Sequence, residues 1–101
     1  MYKSILTSKG AAKIASAAYS GTKLDLAVIA VGDGNGELVI PSVAMTELVH
    51  EVARFGITDY SVNYEEKTIT VETVIPPKSG GWTIRELGIF DTEDDLIAVA
   101  N

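Results

Sequence analysis

At 101 residues, with 47% apolar and 22% charged side chains, the chain has the make-up of one globular domain and not of a disordered segment. It has no cysteine, which excludes disulfides, thiolate metal sites and cysteine nucleophiles and fits assembly in a reducing cytoplasm. A net charge of −6 with scattered lysines and arginines argues against a nucleic-acid surface, and no apolar run approaches the ~18 residues of a membrane span.

The N-terminal stretch Met1–Thr7 has too short an apolar core for a signal peptide, so the chain is expected to stay soluble where it is made or to leave the cell by lysis. A helix is expected from about Ser8 to Tyr19. Thr7 or Ser8 suits its N-cap, and Gly21 stands where a left-handed C-terminal residue belongs. Ala11, Ile14, Ala15 and Ala18 recur at helical spacing as one apolar stripe, small enough to lie close against a sheet. The large apolar and basic residues of a membrane-surface helix are missing from it.

Leu24–Val31 is an apolar, partly β-branched run that reads as a buried strand. It ends in Gly32-Asp33-Gly34-Asn35-Gly36-Glu37. A dinucleotide fingerprint fails here, because the third glycine comes one residue early and Leu38-Val39-Ile40-Pro41 does not open a helix. A calcium loop starting at Asp33 fails because Leu38 and Ala44 occupy the positions of the turn glycine and the bidentate glutamate. A phosphate nest is possible in backbone geometry, yet Asp33 and Glu37 place negative charge beside it and no lysine follows. The plain reading is a glycine-rich surface turn.

Ser42 suits an N-cap, and Met45, Leu48, Val49 and Val52 fit one helical face. The expected arrangement is a short helix or helical turn over about Val43–Leu48, becoming extended near His50–Ile57, although Leu48 onward also fits the start of a strand. His50 is the single histidine, with no cysteine or second histidine to complete a metal site and no marked serine to complete a triad. A partly exposed position at the end of an element suits it better. Ile57–Tyr64 then alternates, with Tyr60, Val62 and Tyr64 on one face, and Thr68–Ile75 places Ile69, Val71, Thr73 and Ile75 together. The polar Asn63–Lys67 stretch joins them as a hairpin, with a connection of about three to five residues. Pro76-Pro77 ends the second strand, and Lys78–Gly81 is a flexible link.

The last segment, Gly80 to Val99, reads as a β-hairpin whose first strand alternates Trp82, Ile84, Glu86, Gly88 and Phe90 against Thr83, Arg85, Leu87 and Ile89. Both faces carry large apolar residues, so this strand is expected to be central or covered on both sides. Glu86 shares a face with apolar neighbours and needs a partner if buried, for which Arg54 is the candidate. It reads either as a general acid or base or as a structural ion pair fixing the strand geometry, and the lack of a second well-placed carboxylate favours the ion pair. Gly88 suggests close approach of another backbone or an aromatic ring. Asp91-Thr92-Glu93-Asp94-Asp95 makes the turn, where Leu96 in the glycine position excludes a calcium loop.

These residues carry a resemblance. Gly81-Trp82-Thr83-Ile84-Arg85-Glu86-Leu87-Gly88-Ile89-Phe90-Asp91, followed by Asp95–Asn101, resembles the N-terminal domain of phage tail-collar fibre proteins. Ala30–Gly36 is similar to that family's A-V-G-D-G-N-G loop, and Leu48–Arg54 to its L-V-N-E-V-Y-R segment. The similarity also takes in Ile5-Leu6-Thr7 and the alanine-rich helix after Gly10, so it spans essentially the whole chain in order. Ala53 replaces an aromatic, His50 an amide, and Asp94 a glycine that such proteins usually carry in the turn.

The elements read along the chain make one α+β domain, residues 1–101, with an N-terminal helix packed on a mainly antiparallel sheet ending in a C-terminal hairpin. The resemblance implies a structural virion component, not an enzyme and without cofactor. This component anchors a tail fibre to the baseplate of a phage, prophage or contractile bacteriocin and supports host-cell attachment. The partner implied is a tail baseplate protein, with no nucleic acid and no membrane, and the particle is assembled in the host cytoplasm. Such fibres are commonly homotrimers, so the domain trimerises or stands as a monomer without its shaft. They also continue well beyond this length, so the chain reads as an excised N-terminal domain or a short relative. Gly81, Trp82, Ile84, Arg85, Glu86, Gly88, Phe90, Asp91 and Arg54 are the signature residues expected to set the structure. Asp33, Asn35, Glu37, Asp94 and Asp95 lie in the loops expected to touch a partner. The rival reading is a free-standing carbohydrate- or cell-surface-binding module, which requires Tyr60, Tyr64 and Trp82 to be exposed together; Trp82 is expected to be buried instead.

Overall fold

A computed structural model describes residues 4–73 and 83–101. In chain order the elements are β1 (Ser4–Leu6), α1 (Ser8–Ser20), β2 (Leu26–Gly32), β3 (Glu51–Gly56), β4 (Asp59–Asn63), β5 (Thr68–Glu72), β6 (Glu86–Asp91) and β7 (Leu96–Ala100). Five of the strands form one antiparallel sheet in the order β1-β7-β6-β2-β3, and β4 and β5 form a separate hairpin. The α+β class, the N-terminal helix on an antiparallel sheet and the C-terminal hairpin are as the sequence implies. Pro76-Pro77, the Lys78–Gly81 link and Trp82 lie outside the described residues, as does Ile75 at the expected end of β5.

Thr7 caps α1 and also locks it to the sheet. Its hydroxyl accepts the Gly10 N–H at 2.9 Å and donates to the Leu96 carbonyl at 2.6 Å, and its side chain is fully buried. At the other end Gly21 is left-handed (φ 72°), and its N–H closes on the Ala17 carbonyl. The expected apolar stripe is corrected. Gly10, Ile14 and Ala17 are the buried residues of α1, whereas Ala15 and Ala18 are exposed. Alanine is too small to mark a face, and the true contact line is set by Gly10, where an added Cβ would lie 1.9 Å from the Ile97 carbonyl oxygen.

That approach depends on a bulge in β7. The β6–β7 register pairs Ile89 with Ala98 and Phe90 with Leu96, leaving Ile97 as the extra residue. Ile97 is fully buried and packs with Ile14, Leu24 and Leu26. The β4–β5 hairpin covers the same side of the sheet, with Tyr60, Val62, Tyr64, Ile69 and Val71 turned inward against this cluster. The opposite face is built from Ala30, Phe90, Leu96 and Val99, with Leu48 and Met45 laid over them from the chain between β2 and β3. Strand β6 is therefore central in the sheet and covered on both faces, and each fully buried aliphatic side chain contributes about 1.5–3 kcal/mol.

Of the short helix or helical turn expected over about Val43–Leu48, only a single turn forms. Residues 43–44 make one turn, with the Met45 N–H bonded to the Ser42 carbonyl at 3.1 Å and the Ala44 N–H to the Ser42 hydroxyl at 3.2 Å. Ser42 thus caps a single turn. The chain then straightens because Leu48 is drawn onto the sheet and the following two amides are aimed at a buried acid.

Candidate functional site

The buried acid is Glu86, at 0% exposure. Its Oε1 accepts the Val49 N–H and its Oε2 accepts the His50 N–H, each at 2.8 Å. The partner expected from sequence, Arg54, is corrected: Glu86 is satisfied by backbone amides of the incoming chain, so no cation is needed beside it. The β2–β6 register sets Gly32 opposite Glu86. A Cβ on Gly32 would stand 2.5 Å from Glu86 Oε2 and 2.6 Å from the His50 carbonyl oxygen, so only glycine leaves room for the carboxylate.

The same face repeats this arrangement two residues further along β6. A Cβ on Gly88 would meet Leu48 Cδ2 and Leu96 Cδ1, each at 2.9 Å. The close neighbours of Gly88 are thus two leucine side chains, which corrects the expectation of a backbone or an aromatic ring. Two residues on again, the Arg54 guanidinium lies 4.3 Å from the centroid of the Phe90 ring. Arg54 is held there by Glu51 at 2.6 Å and Asp94 at 2.7 Å, which raise its pKa above the usual arginine value. The Leu48–Arg54 segment and the Glu86–Phe90 strand are therefore two halves of one clasp.

The glycine loop closes the top of the clasp. Gly34, Asn35 and Gly36 form a tight left-handed turn with positive φ at all three residues (64°, 58° and 85°), which accounts for the Gly-Asn-Gly composition. Asp33 accepts the Asn35 N–H at 2.9 Å and pairs with His50 Nδ1 at 2.7 Å. The His50 bond first, and the Asn35 amide second, hold the Asp33 carboxyl below the usual aspartate range. Arg85 donates to the Asp33 carbonyl at 3.3 Å. His50 is half-exposed and stands immediately before β3.

Asp91 organises the β6–β7 turn. It accepts the Glu93 and Asp95 N–H groups, and the Lys13 ammonium lies 2.5 Å from Asp91, 2.7 Å from Asp95 and 3.0 Å from Glu93. The hydrogen bonds to Asp91 and then Asp95 raise the Lys13 pKa, and Lys13 lowers that of Asp95. Asp94 sits in the left-handed region (φ 63°), the backbone reason for a glycine at that turn position. Of the remaining signature residues, Ile84 is exposed at 44%, and Gly81 and Trp82 lie outside the described residues. Of the loop residues, Asp33, Asp94 and Asp95 are engaged internally, while Asn35 and Glu37 are exposed.

A half-open hollow of about 370 Å³ lies beside the clasp, lined by Thr46, His50, Glu51, Arg54, Phe90 and Asp94 among others. Glu86 does not reach it, and Arg54 is bonded to both Glu51 and Asp94. Among the described residues no group of three or more potential metal ligands comes together, and no helix is long and apolar enough to cross a membrane. Tyr60 and Tyr64 pack inward, and Tyr64 Oη accepts the Leu24 N–H at 2.9 Å, so neither offers its ring as a sugar platform.

Such a site, in which buried polar groups bind backbone, defines a structural domain. The chain belongs to the phage tail-collar fibre protein family, whose N-terminal family model it matches over residues 1–101. It is 42% identical over 102 residues to the probable tail fiber protein of Escherichia phage P2, a match covering 99% of this chain. The chain spans about 15% of the length of that curated relative. No solved structure matches it.

Proposed function

We propose that residues 1–101 form a single module that anchors a tail fibre to the tail baseplate and so supports attachment of the particle to its host. The carrying observation is the match to the N-terminal family model along the whole chain, together with the small share of the relative that it spans. The module is a virion component assembled in the host cytoplasm, without catalytic activity, and three copies come together in the complete fibre. Its partner is a tail baseplate protein of a phage, prophage or contractile bacteriocin. Ile84, Arg85, Glu86, Gly88, Phe90, Asp91 and Arg54 act as structural residues that hold the clasp, with Gly81 and Trp82 assigned to the same set. The loops bearing Asp33, Asn35, Glu37, Asp94 and Asp95 lie at the contact.

The test is competition. The purified chain, added in excess during assembly, should displace fibres from tails and be found at the baseplate by gold labelling. Tails that assemble with a full set of fibres at saturating chain would sink the anchoring reading. For the glycine loop, charge reversal at Asp33 and Glu37 that left incorporation unchanged would remove that loop from the contact.

A further inference from the structure

Asparagine occurs in the chain at positions 35, 63 and 101, and the fold treats the three differently. Asn63 is locked. Its Oδ1 accepts the Glu65 and Glu66 N–H groups at 3.1 and 3.0 Å, its Nδ2 donates to Glu66 Oε1 at 3.1 Å, and Tyr64 after it packs inward. Asn101 Nδ2 donates to the Val39 carbonyl at 3.0 Å. Asn35 is exposed, and its side-chain amide makes no hydrogen bond among the described residues. The residue after it is Gly36, also exposed, where an added Cβ would meet nothing within 4 Å.

An asparagine amide without partners, followed by glycine, is open to attack from its own backbone. The nitrogen of the glycine attacks Cγ, so that an N–Cγ bond forms and the N–H proton is lost. The Cγ–Nδ2 bond breaks and ammonia leaves. The resulting cyclic imide takes up water at either of its two carbonyls, giving aspartate or an isoaspartyl linkage. Water is consumed and ammonia released, with no other reactant. Glycine favours ring closure because no side chain crowds its nitrogen and its backbone turns freely.

The left-handed turn stands against this step. At Asn35 (φ 58°, ψ 34°) the backbone sets Cβ beside the residue's own carbonyl oxygen, and so on the side away from the Gly36 nitrogen. The Gly36 N–H is also tied to the Asp33 carbonyl at 3.2 Å. Asp33 braces the turn through its other groups as well. Its carboxylate accepts the Asn35 N–H at 2.9 Å and pairs with His50 Nδ1 at 2.7 Å, and its own N–H donates to the His50 carbonyl at 3.2 Å. Ring closure therefore requires Asn35 to leave the left-handed region and the turn to open.

We propose that Asn35 is a deamidation site of this chain, gated by the turn that Asp33 and His50 brace, so that the reaction proceeds from the opened loop alone. The aspartyl product sets a third carboxylate beside Asp33 and Glu37. The isoaspartyl product adds a carbon to the backbone inside a turn closed by the Gly36 and Glu37 N–H bonds, which the native spacing does not accommodate. Each event thus leaves a lasting change in the loop. The reaction needs no partner and stands apart from the anchoring reading.

The experiment follows the full 101-residue chain in warm, mildly alkaline buffer, with peptide mapping by mass spectrometry to place each aspartyl and isoaspartyl residue. Deamidation at Asn35 should precede any at Asn63, and should run about tenfold or more slowly in the folded chain than in urea. Asp33→Ala removes the acceptor of the Asn35 N–H and should speed the folded-state reaction about tenfold. His50→Ala keeps the backbone bond to Glu86 and should speed it less, so the gate does not hang on one variant. Cooperative melting of each variant establishes that folded chains are being compared, and hydrogen exchange at Gly36 should rise in step with the reaction. An Asn35 amide that survives in urea, or reaction at Asn63 first, would overturn the site. Equal rates in folded and urea-unfolded chain would overturn the gate. So would Asp33→Ala and His50→Ala that both react as slowly as wild type, or faster Gly36 exchange with no gain in deamidation.

Discussion

Glu86 occupies the space that a side chain on Gly32 would fill: the two residues face each other across β2 and β6, with the carboxylate only 2.5 Å from an added Cβ. Gly32→Ala should therefore push against both Glu86 and the His50 carbonyl, which cannot both yield. The expected loss is about 3 kcal/mol, read as a shift of the urea midpoint at unchanged slope. A variant as stable as wild type would show that this side of the sheet is loosely packed.

Removing the acid should cost more than neutralising it. Glu86→Ala leaves the Val49 and His50 N–H groups without an acceptor and is expected to lose about 4 kcal/mol. Glu86→Gln keeps one acceptor oxygen and should lose about 2 kcal/mol. Amide hydrogen exchange at Val49 and His50 should rise in both variants, and protection equal to wild type in Glu86→Ala would exclude the proposed hydrogen bonds.

Gly10 sets the distance between α1 and β7. Gly10→Ala is favourable for helix formation but places a methyl group into the Ile97 carbonyl, so it should destabilise by about 2–3 kcal/mol. Ala15→Gly, on the exposed side of α1, should lose only about 1 kcal/mol. Thermal melts of the two variants should rank in that order.

The Lys13 cluster gives a pH dependence with two limbs. Asp95 has its pKa lowered on folding, so its contribution is complete above about pH 4 and lost as pH falls through the lowered value. Lys13 has its pKa raised, so its contribution is complete below about pH 10 and lost as pH rises through the raised value. Lys13→Met should flatten the acid limb and the onset of the alkaline limb in denaturation midpoints measured from about pH 2 to about pH 11. Parallel wild-type and variant curves would remove the cluster from the stability balance.

Asp94 holds a left-handed backbone and an exposed ion pair with Arg54. Asp94→Gly relieves the first and loses the second, and should stay within about 0.5 kcal/mol of wild type. Asp94→Val loses the pair and cannot adopt the angle easily, for a cost of about 1–2 kcal/mol. Equal midpoints for the glycine and valine variants would contradict the turn geometry.

What the residues revealed in advance, and what they concealed, follows from where the information lies. Thr7, Gly21 and the glycine loop carry backbone geometry in their own side chains or lack of them, so the ends of α1 and the turn after β2 were legible. The need of Glu86 for a partner was legible too, since a carboxylate among apolar residues demands one. The partner was not, because a backbone amide has no residue-type signature and Val49 and His50 look like any strand approach. The face of α1 was misplaced because its tightest contact is made by a residue without a side chain. The exposure of Leu38 and Ile40 left no mark either, since the burial of Val39 between them depends on Gly34 and on the distant Asn101.

Strand β7 lies between β6 and β1, paired with β6 from Leu96 to Ala100 and with β1 from Ala98 to Ala100. A tensile load drawn along β7 would meet two ladders of hydrogen bonds lying across the pull, which must be sheared together instead of opening one at a time from an edge. The domain is thus stiffest along the line on which its last strand runs. For the anchoring role proposed above, that direction of mechanical resistance matters as much as equilibrium stability.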